Sequence, residues 1–90
     1  MVQVHFPTGL IRHHALPPKC EAAGTTVREL IQSLESEFPG VAAYLIQDDG
    51  SLRQHVNIFL DERWIGDRQT LSDSLAGVHD VYVMPALSGG

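Results

Sequence analysis

Apolar and polar residues alternate over Val2-Gln3-Val4-His5-Phe6. A period of two with Val2, Val4 and Phe6 on one side predicts a half-buried strand. Pro7-Thr8-Gly9 reads as the turn that ends it. From Leu10 to Leu16 the pattern is mixed, and we read that stretch as an extended loop crossing the end of a sheet. Pro17-Pro18 breaks any pairing. Lys19-Cys20-Glu21-Ala22 is predicted as a short second strand with Cys20 and Ala22 facing inward, although this strand could also begin near Leu10.

The period then changes. Val27, Leu30, Ile31, Leu34 and Phe38 recur at helical spacing, with Glu29, Gln32, Ser33, Glu35, Ser36 and Glu37 on the other side. Thr26-Val27-Arg28-Glu29 has the capping-box form that starts such a helix, and Pro39-Gly40 stops it. A shorter helical turn is predicted over 41–46, ahead of an Asp48-Asp49-Gly50-Ser51 turn. Val56, Ile58 and Leu60 give the inner face of a third strand, with Asn57 and Phe59 outward. Asp61-Glu62-Arg63 makes a tight reversal into a short edge strand at Trp64-Ile65. A loop over 66–69 and a helical turn over 71–75 lead to a last strand.

That strand, Val81-Tyr82-Val83-Met84, alternates cleanly until Pro85, which lacks the N–H for a further ladder bond. The predicted order is strand, strand, helix, strand, short strand, strand. One amphipathic helix over a mixed sheet is an α+β arrangement of two layers. The first and last strands are the most apolar and belong at the sheet's centre, which is the β-grasp, or ubiquitin-like, topology. Residues 1–90 form a single domain, with 86–90 expected to be a flexible tail.

Composition narrows the function. The net charge of −5 opposes binding to nucleic acid or an anionic membrane, since both need a Lys/Arg surplus. Cys20 is the only cysteine, so an internal disulfide is excluded. The start of the chain lacks a signal-peptide pattern, and a cytoplasmic protein is expected. Adjacent His13 and His14 point to opposite sides of an extended segment, and His5, His55 and His79 have no ligand spacing, so no metal site is expected. Cys20 reads as a small core residue, and Asp48-Asp49 as part of a turn. For Trp64, an exposed contact role is set against a ring folded on the helix or sheet edge, and the second is favoured.

The chemistry concentrates in Ala86-Leu87-Ser88-Gly89-Gly90. Gly89 and Gly90 have no Cβ, so this segment can thread a narrow channel and leaves its last carbonyl carbon unobstructed. A Gly90 carboxylate can attack the α-phosphate of ATP to form an acyl-adenylate, from which a thiol or persulfide can displace AMP.

Phe38-Pro39-Gly40, Val56-Asn57-Ile58-Phe59-Leu60 and the closing run from Val81 to Gly90 together resemble the ubiquitin-like sulfur-carrier family. That family comprises the molybdopterin-synthase small subunits and thiamine sulfur carriers. Pro7-Thr8 and Gly50-Ser51-Leu52-Arg53 are most similar to the carrier used with a cysteine synthase. The resemblance implies a protein co-substrate that is not itself an enzyme and binds no cofactor. An E1-like enzyme would use ATP to adenylate Gly90, which then becomes a thiocarboxylate. The sulfur would pass to a cysteine synthase, a thiazole synthase or the molybdopterin-synthase large subunit, and the free carrier would be a monomer. The family's acidic Asp-Gly-Asp-like turn is replaced here by Ala76-Gly77-Val78-His79-Asp80. Two alternatives remain: a ubiquitin-like modifier joined through Gly90 to lysines, and a binding module with an inert tail. Phe59 and Met84, outward on adjacent strands, and Leu87 beyond them are expected to form the partner-binding patch.

Overall fold

The computed structural model describes residues 1–85, apart from the side chains of His13 and His14. Strands β1 (Val2–His5), β2 (Lys19–Ala22), β3 (Val56–Leu60), β4 (Arg63–Trp64) and β5 (Asp80–Pro85) form one sheet in the order β2-β1-β5-β3-β4. β1 and β5 run parallel and the other pairs antiparallel. The mixed sheet has β5 at its centre and β1 beside it, as their apolar alternation requires.

Helix α2 (Val27–Glu37) buries Val27, Leu30, Ile31 and Leu34. They meet Val4, Ile58, Leu60, Val81 and Val83 from the inward face of the strands in one core. Each such side chain removed from water contributes about 1.5–3 kcal/mol. The helix cap differs in one detail from a reciprocal capping box. The Glu29 N–H donates to the Thr26 hydroxyl at 3.3 Å, but the Glu29 carboxylate accepts from the N–H and hydroxyl of Thr25, one residue earlier. At the other end, the Glu35 carboxylate accepts from the N–H groups of Gly40 and Ala42. That ties α2 to the short helix α3 (Val41–Leu45).

Two segments differ from expectation. The stretch read as a loop from Leu10 to Leu16 is largely helix α1 (Thr8–His14), entered from extended Pro7 and closed by left-handed Ala15. Leu10 is fully buried and Ile11 packs on the core, so tertiary burial stabilises a helix too short to persist alone. The helical turn expected over 71–75 is instead irregular chain. Leu71 has φ +58, Ser74 bridges Thr26, and the carbonyls of Asp73 and Leu71 accept the N–H groups of Val27 and Arg28. The first N–H groups of a helix have no partner within it, and this strap of chain supplies two.

Asp67 organises the strap. Its carboxylate accepts from the hydroxyls of Ser72 and Thr70 and from the N–H groups of Gln69, Thr70 and Ser72. These bonds, led by Ser72, hold its carboxyl well below the usual carboxylate range. Among the described residues, no helix is long and apolar enough to cross a membrane.

Candidate docking face and tail root

The sheet face turned away from α2 carries one continuous row of rings. The strand register places His5 opposite Tyr82, Tyr82 opposite Phe59, and Phe59 opposite Trp64. His5 stacks on Tyr82 with centroids 4.3 Å apart and planes 16° from parallel. Tyr82 and Phe59 lie 6.3 Å apart, and Phe59 meets Trp64 edge-on at 4.9 Å. One rung nearer the tail, Met84 stands opposite Asn57 and is 40% exposed. The face is therefore aromatic across four strands and carries a methionine next to Pro85, the last described residue.

The outward placement of Phe59 and Met84 agrees with the alternation read from the sequence, but they are diagonal neighbours. Tyr82 is the residue directly across from Phe59. The sequence reading missed His5 and Tyr82 as members of the row. Tyr82 shares the parity of Met84, a signal that was available; His5 required the parallel pairing of β1 with β5. Trp64, expected to fold away, is 52% exposed. The reversal through Asp61, at φ +54, makes Trp64 the partner of Phe59 and leaves the indole's far side in solvent. Leu87, Gly89 and Gly90 lie outside the described residues.

Polar contacts hold the His5 end of the row and the loop that leads into β5. His5 Nε2 lies 2.9 Å from Asp80 Oδ1. The Asp61 carboxylate accepts from the N–H groups of Asp80 and His79, and these bonds lower its pKa. Asp61 thereby anchors the departing Ala76–Asp80 loop, whose Gly77 sits at φ +77. A wide groove of about 830 Å³ runs along this loop at the start of β5.

The other candidates behave as ordinary structural residues. Cys20 is half-buried against the core, and burial, then the charge of Glu37, pushes its thiol pKa up, which disfavours the nucleophilic thiolate. Asp49 accepts from the N–H and hydroxyl of Ser51, as a turn residue does. His55 meets Tyr44 edge-on, far in sequence from His5 and His79. No group of three potential metal ligands occurs among the described residues.

The strand order is that of a β-grasp sheet with an apolar outer face, and comparison with known proteins gives the family. The ThiS family model matches residues 18–90. The chain belongs to the ThiS family of ubiquitin-like sulfur carriers. It is 29% identical to the sulfur carrier protein CysO of Mycobacterium tuberculosis, over 99% of this chain and 98% of that one. It is 34% identical to small archaeal modifier protein 3 of Haloferax volcanii, over 72% of this chain and 70% of that one. Among solved structures it is similar to one in the Amycolatopsis orientalis BexX/CysO complex, with a TM-score of 0.82, 29% identity and both chains fully covered. The ThiS family members it resembles are carrier proteins, and the expectation of a co-substrate in place of a catalyst stands on that likeness.

Proposed function

We propose that this ThiS family chain carries sulfur as a thiocarboxylate on Gly90. The observation that carries the proposal is that the family match runs through Ser88-Gly89-Gly90, so the diglycine lies inside the shared region. With Gly90 as the terminal residue, its carboxylate oxygen attacks the α-phosphate of ATP on an E1-like enzyme and pyrophosphate leaves. Hydrosulfide sulfur then attacks the carbonyl carbon of the acyl-adenylate, AMP departs, and the C–S bond remains. The chain supplies no catalytic group to either step. It supplies an unbranched carbonyl carbon and a surface that seats the enzyme.

Phe59 and Met84 form the centre of that surface, with Tyr82 and Trp64 extending it. Aromatic and Met side chains are enriched at interface cores, and charged groups are depleted there. Similarity to CysO proteins favours a cysteine synthase as the sulfur acceptor. A need for ATP and a biosynthetic acceptor would fit a cytoplasmic carrier.

Incubation with a cognate E1-like enzyme, ATP and sulfide tests the proposal by intact mass. The expected result is exchange of one oxygen for one sulfur at Gly90, located by fragmentation. An unchanged mass with a demonstrably active enzyme refutes it. A second reading, a modifier joined to lysines, is favoured by the 34% identity to a small archaeal modifier protein. It predicts a ladder of conjugates that survives denaturation and reduction.

A further inference from the structure

We propose that the open edge of β2 pairs two copies of this chain, antiparallel about a two-fold axis at Cys20. The two edges of the sheet are finished differently. At the far edge β4 is two residues long, and beyond it the Arg68 guanidinium donates to the carbonyls of Val56 and Arg53 and to Asn57 Oδ1. Those acceptors are no longer offered to another chain. At the β2 side, the Gln3 N–H donates to the His79 carbonyl toward β5, and the Phe6 N–H to the Pro18 carbonyl toward β2. Backbone groups alternate sides along a strand, so Val4 and Cys20 form a hydrogen-bonded pair. Lys19 and Glu21 then lie opposite His5 and Gln3 without exchanging bonds. The N–H and C=O groups of Lys19 and Glu21 therefore point away from β1, and none of the described residues bonds them.

Charge selects the second copy and its register. Lys19 and Glu21 are exposed on one face of β2, while Cys20 packs against the core and Ala22 is buried. With the axis at Cys20, each Lys19 lies across from Glu21 of the second copy, and each such pair exchanges both N–H···O bonds. Opposite charges directly across a strand pair stabilise it, and like charges oppose it. An axis at Lys19 or at Glu21 sets like charges across from each other. An axis at Ala22 sets Glu21 against Ala23, whose carbonyl already accepts from the Ser33 hydroxyl. The strand is thus complementary to itself in one register.

The two-fold axis uses the open edge of both copies at once, so the association closes at two chains. Pro17-Pro18 on one side and Ala23 on the other confine it to residues 19–21. Glu37, the acidic neighbour of Cys20, is exposed and keeps its charge in water beside the joint. So short a joint forms at high protein concentration, and the dilute chain stays the monomer that the family resemblance implies. Phe59, Trp64 and Met84 lie on strands away from the joint and remain open to a partner. The joint does not depend on sulfur chemistry, so its failure would leave the carrier reading intact.

The test is a charge exchange, read by sedimentation and amide hydrogen exchange of the full chain from about 10 μM to about 1 mM. The parent chain should shift toward a dimer as concentration rises, with the Lys19 and Glu21 amides gaining protection. Lys19→Glu alone and Glu21→Lys alone should each stay monomeric, because each sets like charges across the joint. Mixing the two variants should restore the dimer, with one chain of each kind. A parent that stays monomeric at about 1 mM overturns the joint. So does a dimer that survives both single variants. A dimer whose newly protected amides lie at Tyr82 and Trp64 overturns it as well, since the copies would then meet through the aromatic row.

Discussion

At the scale of single residues, polar side chains fix loops and aromatic ones prepare a surface. Asp67 shows the first role. Its folded pKa lies below the unfolded value of about 4, so it contributes stability that is fully present above that value. The contribution is lost as the pH falls through and below that range, because protonation removes the acceptor for Ser72 and Thr70. We predict that Asp67→Asn lowers Tm at neutral pH, and that the gap between variant and parent narrows as pH is taken from about 6 toward 3. Parallel Tm curves would show that Asp67 does not carry this acid sensitivity. The aromatic row shows the second role. Strand parity made Phe59 and Met84 legible in the sequence, because facing needs only a period of two. Their neighbours were less legible: which ring lies across from Phe59 depends on register, and register is set by pairing between distant segments.

At the scale of elements, long periodic segments were legible and short ones were not. Helix α2 shows its stripe, start and stop in its own residues, so the sequence sufficed. Helix α1 has only Leu10 and Ile11 to show, and Pro7-Thr8-Gly9 reads equally as a turn. Its stability comes from the core, which local pattern does not reveal. The strap over 71–75 was misread for the same reason, since its backbone is held by the start of α2 and not by its own periodicity. We predict that Leu10→Ala, which empties a fully buried position, destabilises the domain by about 2–5 kcal/mol in chemical denaturation. A loss below about 0.5 kcal/mol, typical of a surface site, would mean that α1 is not integral to the core.

At the scale of the whole molecule, the proposed function assigns recognition and chemistry to different parts of the chain. Among the described residues the buried core runs from Val2 to Val83. The row of rings is carried by paired strands, whereas the proposed function puts the reacting carboxylate on Gly90, beyond them. Two variants should therefore fail in different ways. Deleting Gly90 should abolish formation of the thiocarboxylate while leaving Tm and affinity for the E1-like enzyme nearly unchanged. Phe59→Asp places a charge at the centre of the row, where its desolvation on docking has no compensation. It should weaken binding by about 2 kcal/mol or more, roughly thirtyfold or greater in Kd, with the free domain still folded. Saturating enzyme should then restore much of the single-turnover rate to Phe59→Asp and none to the deletion. If Phe59→Asp binds normally, the row is not the docking face. If the Gly90 deletion loses its cooperative melt, the tail is structural and the two roles are not separable.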